Sequence, residues 1–187
     1  MTARIELPPL EALEGEIGKL AQSWKAIGSD TTFIRMLNYR ADLVPAFFDF
    51  YMRMRGDGLL PARLKELVRL RIARLNTCRY CLGSLTPLAA KQGVTDEHIA
   101  ELEHRPPGLF TDQELAAFDL AERIWNNAAE AGRDTALRER MRRHFSDAQL
   151  LELMWAIGMY IALGRMIVFF GIDWRAPERH WRPATAG

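Results

Sequence analysis

Apolar side chains recur at intervals of three and four residues along most of this chain, and that spacing places them on one face of a helix. The segment LPARLKELVRLRIARL has apolar residues at positions 60, 64, 67, 68, 72 and 75. No run alternates apolar and polar residues between hairpin turns, as a half-buried strand would. The pattern therefore predicts an all-α fold.

Proline and glycine punctuate the helical segments and set their approximate limits. The predicted helices are 10–27, 30–37, 43–55, 60–75, 78–92, 96–103, 112–131, 134–143 and 147–170. Two of these helices begin with a capping box, in which a hydroxyl and the side chain three residues later satisfy backbone amides. The boxes are Thr111 with Glu114, and Ser146 with Gln149.

We interpret residues 1–187 as a single helical domain. The segment RPPGLF, at 105–110, is its clearest internal linker. It separates a cysteine-containing half at 30–104 from a second helical half at 111–172, and an extended tail follows at 173–187.

Charge and hydropathy narrow the possible environments. Lys and Arg number 25 against 24 Asp and Glu, so no strong field favours nucleic acid or an anionic membrane. The most apolar stretch, 153–164, is shorter than the ~20 residues that span a bilayer, which predicts a buried helix and no membrane segment. Glutamates interrupt every apolar run near the N-terminus, so we expect no signal peptide and a reducing, cytoplasmic location.

Cys78 and Cys81 are the two cysteines of the chain and lie three residues apart in LNTCRYCLGSL. Asn76 and Thr77 are good helix N-cap residues, so Cys78 is predicted to open a helix, with Cys81 one turn along on the same face. A thiolate is favoured in a first helical turn and attacks peroxides or disulfides, after which a second cysteine can close an intramolecular bond. The spacing therefore favours redox chemistry.

Two other interpretations of the cysteines stay open. His98 and His104 follow them in a C-x2-C-x16-H-x5-H order, which approaches a zinc-finger pattern with a longer middle spacer. Alternatively, both cysteines are small buried hydrophobic residues.

Glu66 is the next candidate site residue. It shares a helix face with Ala62, Leu70 and Ala73, and a carboxylate covered by such residues would have a raised pKa and could exchange protons with a thiol. The alternative is a surface glutamate paired with an arginine three residues away, at position 63 or 69.

Aromatic residues in the second half are predicted to pack in the core. Trp125, Trp155 and Tyr160 fall at helical spacing in apolar stretches, where packing is more common than a ligand site. Gly158 and Ala162, four residues apart, predict a close helix contact, within the fold or between subunits.

One pattern in the chain consists of Glu66, eleven intervening residues, Cys78, two residues and Cys81. In this pattern the chain resembles the carboxymuconolactone decarboxylase and alkylhydroperoxidase D-like family. The likeness is strongest from about 40 to 103 and includes the turn at Gly93-Val94-Thr95. It extends more loosely over LFTDQELAAFDLAERI and FSDAQLLELMWAIG. It implies an all-helical protein that forms trimers or hexamers, and a thiol-dependent peroxidase or disulfide reductase.

The resemblance also implies individual roles. In the peroxidase branch the second cysteine attacks peroxide, the first resolves it and the upstream glutamate joins a proton relay, so the roles fall on Cys81, Cys78 and Glu66. The helix-start argument alone instead favours Cys78 as the more acidic thiol.

The chain differs from the peroxidase motif at the residue that would serve as the catalytic base. Leu85 occupies the position of the motif's histidine, and Tyr80 that of a histidine between the cysteines. Proton delivery is then expected from Glu66 through water or from Tyr80. Ser84, next to Leu85 in the sequence, is a possible accessory residue.

The expected partners are a small hydroperoxide, a thiol reductant and further copies of the chain, as a dimer, trimer or hexamer. No cofactor, metal, nucleic acid or membrane is expected. The alternatives are a noncatalytic helical oligomer, in which the thiols only pack or form a weak zinc site, and decarboxylase-like chemistry on a small acid.

Overall fold

The computed structural model describes residues 3–83 and 91–173, and all regular structure within them is helical. Short 3-10 helices cover Leu10–Ala12 and Asn38–Leu43. The α-helices are α1 Gly15–Ala26, α2 Thr32–Leu37, α3 Val44–Arg55, α4 Ala62–Leu75, α5 Arg79–Gly83, α6 Asp96–Ala100, α7 Asp112–Arg133, α8 Thr135–His144 and α9 Asp147–Phe169. The tail from 174 onward and positions 84 and 85 lie outside the described residues.

The predicted capping boxes are confirmed. Thr111 accepts a hydrogen bond from the Glu114 amide and the Glu114 carboxylate accepts one from the Thr111 amide, at 3.2 and 2.9 Å. Ser146 and Gln149 form the same reciprocal pair.

Two helical segments are interrupted where the sequence predicts continuity. The predicted helix 10–27 is divided at Gly15, whose φ of +61° is a left-handed conformation that glycine adopts readily. Asn127, with φ −155° and ψ 94°, kinks α7 near its end. Of the predicted helix 78–92, the structure describes 78–83 and 91–92, and α5 covers Arg79–Gly83.

Helix α4 is the centre of the fold, packed between α7 and α9. The predicted apolar stripe is buried, with Leu67, Val68 and Ile72 fully covered. The opposite side is buried as well, because Lys65, Glu66 and Arg69 are each at most 5% exposed. Lys65 is paired with Glu152 of α9 at 2.5 Å. The central helix therefore buries charges whose partners come from its own and neighbouring helices.

Helix α9 has nearly the bounds predicted for it, 147–170, but it is less buried than expected for its apolar stretch. It runs 23 residues and is, among the described helices, the one long and apolar enough to cross a membrane, a criterion that core helices also meet. One third of its most apolar window is buried. The expectation that Trp155 packs in the core is wrong, because 56% of that residue is exposed.

Candidate active site

The end of α4 places the cysteine pair. Asn76 is its C-cap, Thr77 adopts a left-handed φ of +52°, and the amides of Thr77 and Cys78 bond the carbonyls of Arg74 and Ala73. These two bonds make a Schellman motif, which usually has glycine at the left-handed position. Asn76 and Thr77 therefore end α4 rather than open the next helix. Cys78 precedes α5, as the residue whose carbonyl accepts the Leu82 amide.

Cys78 and Cys81 are joined by a disulfide, with their Cα atoms 5.2 Å apart. The two sulfur atoms are placed differently, since Cys78 is 1% exposed whereas Cys81 is partly exposed and borders a pocket. The Cys81 amide lies 3.2 Å from the Cys78 Sγ and donates to it. A molecule entering the pocket therefore reaches Cys81 first, and Cys78 lies behind it.

Glu66 is buried against two arginines. Arg69 donates to both of its carboxylate oxygens, at 2.7 and 2.8 Å, and Arg55 of α3 adds a bond of 3.2 Å. Burial alone would raise the pKa of Glu66, but the charges and hydrogen bonds of Arg69, and then Arg55, lower it to about 2. The predicted raised pKa is therefore wrong, because the apolar face that carries Glu66 also meets two cations. Of the two candidate partners, Arg69 is the one that pairs, in a buried position.

Arg69 connects this carboxylate to the cysteine segment. Its Nη1 donates to the Cys81 carbonyl at 2.6 Å, while its Nε and Nη2 hold Glu66. A planar guanidinium bound on two sides has little freedom, so the ion pair fixes the position of α5 relative to α4.

A pocket of about 390 Å³ opens at Cys81, within the size range of small-molecule sites. Its wall is largely aromatic and aliphatic, with a few polar residues among them. The lining residues are Trp24, Ile27, Ser29, Phe33, Phe48, Tyr51, Met52, Arg55, Arg69, Ala73, Tyr80, Cys81, Lys91, Tyr160, Leu163, Gly164 and Ile167. Six helices supply most of this wall, and the site is therefore a product of the tertiary fold.

Tyr160 of α9 is a pocket residue that the sequence pattern assigned to core packing. It is 5% exposed, as a core residue would be, but it borders the same pocket as Cys81. Its hydroxyl is buried and has no hydrogen-bond partner among the described residues. No local sequence signal identifies it, because it lies 79 residues after Cys81.

Asn76 holds the backbone at Tyr160 against the end of α4. Its amide nitrogen donates to the Tyr160 carbonyl at 3.4 Å, and its oxygen accepts from Trp125 Nε1 at 2.7 Å. A Cβ at Gly164 would overlap the Asn76 amide. Glycine at 164 therefore allows α9 to approach the cysteine segment closely.

Tyr80 lies between the cysteines and borders the pocket, but its hydroxyl is bonded to the backbone. It donates to the Asp30 carbonyl at 3.2 Å. Burial, then the nearby Asp30, raises its pKa well above the usual value of 10. Tyr80 is therefore a poor source of protons near neutral pH, contrary to the accessory role expected for it. Ser84 and Leu85 lie outside the described residues.

The histidines of the zinc interpretation are also engaged elsewhere. His98 Nδ1 meets the Thr95 hydroxyl at 2.6 Å in the capping box of α6, and its Nε2 lies 2.8 Å from Arg63. Burial, then Arg63, lowers the His98 pKa. His104 is exposed and lies 3.3 Å from Glu101. Within the described ranges, no three histidine, cysteine or carboxylate side chains come together as a metal site.

Sequence comparison gives relatives for the part of the chain that carries the cysteines. Residues 41–123 match the sequence model of the Carboxymuconolactone decarboxylase family. The uncharacterized protein YnjA of Escherichia coli (strain K12) is 31% identical over 118 residues, which are 63% of this chain and 63% of YnjA. The alignment therefore leaves more than a third of that relative unmatched.

The fold has close counterparts among solved structures. An uncharacterized peroxidase-related protein from Silicibacter sp. TM1040 superposes with a TM-score of 0.80 at 18% identity, covering 94% of this chain and 93% of the other. An uncharacterized peroxidase-related protein with an alkylhydroperoxidase AhpD core, from Ralstonia eutropha JMP134, gives 0.76 at 21% identity, with 92% of each chain covered. Glu66 and both cysteines lie inside residues 41–123, which match the Carboxymuconolactone decarboxylase family, and the chain has the same fold as these peroxidase-related structures.

Proposed function

We propose that the protein is a thiol peroxidase in which Cys81 attacks an organic hydroperoxide and Cys78 resolves the product. The observation that carries the proposal is the disulfide-linked pair at a largely apolar pocket of about 390 Å³, with Cys81 at the pocket and Cys78 buried behind it. Access thus favours Cys81 as the attacking thiol. The pocket wall suits a hydroperoxide with an apolar body.

The proposed cycle balances in three steps. The Cys81 thiol releases a proton to water, and its thiolate attacks the terminal peroxide oxygen, so that an S–O bond forms, the O–O bond breaks and the leaving alkoxide takes a proton from water. The Cys78 thiol then attacks the sulfenic sulfur, forms the disulfide and releases water. A dithiol reductant attacks Cys81, returns both cysteines to thiols and itself becomes a disulfide.

The hydrogen bonds around the pair fit the reduction step. When a reductant attacks Cys81, the sulfur of Cys78 leaves as a thiolate. The Cys81 amide, 3.2 Å from that sulfur in the disulfide form, is a donor for the developing charge. A dithiol that is itself kept reduced is required, so the cycle belongs in a reducing compartment such as the cytoplasm.

Glu66 has a different part in this proposal from a proton relay. A carboxylate with a pKa of about 2 stays ionised at neutral pH. We assign it the role of holding Arg69, and through Arg69 the Cys81 segment, in place.

Turnover with a defined oxidant and reductant tests the proposed function. The reduced protein is mixed with cumene hydroperoxide and dithiothreitol, and alcohol formation is followed by chromatography. We expect catalytic consumption of the peroxide that stops when the cysteines are alkylated beforehand. A protein that consumes no peroxide above the uncatalysed rate would overturn the proposal, and decarboxylation that survives alkylation would indicate the alternative chemistry.

We further propose that the outward face of α9 binds a second copy of the chain. Leu151, Trp155 and Phe169 are each more than half exposed, and Trp155 packs edge-on against Phe50 beside an apolar groove. A Cβ built at Gly158 has no neighbour within 4 Å, so this face is open to close approach. The formal net charge of +1 gives copies of the chain little mutual repulsion.

The solution mass tests this interface. We expect the wild-type protein to have a multiple of the chain mass of 21.4 kDa by light scattering, and Trp155→Lys to shift it toward 21.4 kDa, since a charge in an apolar contact is costly. Tyr39→Lys, at a residue of equal exposure, is the control and should not change the mass. A monomeric wild type would contradict the proposal, as would binding of the wild-type protein to neutral lipid vesicles through this face.

A further inference from the structure

We propose that the Tyr160 hydroxyl donates a hydrogen bond to the leaving oxygen of the hydroperoxide while Cys81 attacks. This inference rests on the proposed peroxidase function and adds a catalytic residue from a part of the chain beyond the matched family region.

The first observation is a buried donor with nothing to bind. The Tyr160 hydroxyl is shielded from solvent by the fold, yet no described residue accepts its hydrogen bond. A buried hydroxyl without a partner is destabilising, because it loses its hydrogen bonds to water, and such groups are rare in folded proteins. Tyr160 borders the pocket that contains Cys81. A molecule in the pocket can therefore supply the missing acceptor.

The second observation is the setting of that hydroxyl. Tyr160 lies within electrostatic range of Tyr51, Glu66, Arg55 and Arg69, and Arg69 is bonded to the Cys81 carbonyl. Burial, then Tyr51 and Glu66, raises the pKa of Tyr160 above its ordinary value. The hydroxyl therefore keeps its proton at neutral pH and acts as a donor rather than a base.

The third observation concerns the alternatives among neighbouring side chains. The Tyr80 hydroxyl donates to the Asp30 carbonyl, and Glu66 is an ionised acceptor. Tyr160 thus provides a neutral hydrogen-bond donor for the negative charge that develops on the leaving oxygen, whereas Tyr80 and Glu66 do not.

The chemical step follows from this arrangement. As the Cys81 sulfur forms its bond to the terminal oxygen, the electron pair of the O–O bond moves to the other oxygen, which becomes an alkoxide. Tyr160 stabilises that charge with a hydrogen bond and retains its own proton. The alkoxide takes its proton from water, and the alcohol leaves.

Tyr160→Phe tests the inference through the basicity of the leaving group. Single-turnover rates are measured with cumene hydroperoxide, which expels an alkoxide, and with perbenzoic acid, which expels a weakly basic carboxylate. We expect a loss on the order of 100-fold with cumene hydroperoxide. The loss with perbenzoic acid should stay below about threefold, because its leaving group needs little help.

Alkylation of Cys81 by iodoacetamide separates a catalytic from a structural effect. This reaction uses the thiolate but expels no oxygen, so Tyr160→Phe should leave its rate unchanged. Tyr39→Phe, at an exposed tyrosine whose hydroxyl donates to the Glu6 carbonyl, is the control for all three reactions.

Each outcome is decisive. Equal losses with both oxidants, or slower alkylation, would mean that Tyr160 only shapes the site and would overturn the inference. Unchanged rates with cumene hydroperoxide would do the same while leaving the proposed function intact. A wild-type protein that is inert to both oxidants would overturn the proposed function and this inference with it.

Discussion

Replacing Cys81 with serine is expected to lower the rate constant for peroxide reduction by about 10³-fold or more. A serine hydroxyl is not ionised near neutral pH and is a much weaker nucleophile than a thiolate. Cys78 does not replace it, because that residue is 1% exposed and lies behind Cys81. The measurement is the single-turnover rate with cumene hydroperoxide. A Cys81→Ser protein that reduces the peroxide at the wild-type rate would show that Cys78 attacks.

The matched variant, Cys78→Ser, separates the two roles. We expect its first turnover to proceed within about threefold of the wild-type rate, since the attacking thiol is retained. The product should be a sulfenic acid that persists, because no resolving thiol is present. Steady-state turnover with a dithiol should therefore slow more than the first turnover does.

Glu66→Gln is expected to lower the free energy of unfolding by about 3–5 kcal/mol at pH 7, the usual effect of removing one partner of a buried ion pair. The substitution keeps the shape of the side chain but removes the negative charge that Arg69 and Arg55 bond. The measurement is denaturant unfolding of the reduced protein. Glu16→Gln, which breaks the exposed pair with Lys19, is the control and should leave the midpoint unchanged.

The pH dependence of stability gives a second test of the same ion pair. The folded pKa of Glu66, about 2, lies below the ordinary value of 4.5. Its contribution, about 3 kcal/mol, is therefore fully present above pH 4.5 and is lost as the pH falls toward 2. The difference in stability between wild type and Glu66→Gln should shrink over that range. A difference that grows as the pH falls would contradict the assignment.

The fold class and the helix starts could be predicted because their causes are local. Apolar spacing and the boxes at Thr111 and Ser146 act within a few residues of each other, and the structure has the same helices there. The environment of Glu66 could not be predicted in this way. The sequence spacing indicated Arg69 as a possible partner of Glu66, but Arg55 reaches Glu66 from another helix. The burial of all three side chains depends on how α3 and α4 pack.

Helix α9 is a second case in which the sequence pattern does not predict the environment of a residue. Trp155 and Tyr160 lie five residues apart in one apolar stretch, and one is exposed whereas the other is buried beside the pocket. A helix that is apolar on every side has no polar face to mark which side meets solvent. Only the packing of α9 against α4 distinguishes them. The cysteines, by contrast, were recognisable from their spacing, although their unequal exposure was not.

The most direct test of the central claim is to locate the first oxidation product. Reduced Cys78→Ser and Cys81→Ser proteins are each treated with one equivalent of cumene hydroperoxide in the presence of dimedone, which captures sulfenic acids, and the labelled peptide is identified by mass spectrometry. We predict rapid labelling of Cys81 in the Cys78→Ser protein and almost none of Cys78 in the Cys81→Ser protein. Labelling of Cys78 alone, or of neither cysteine, would contradict the assignment of Cys81 as the thiol that attacks peroxide.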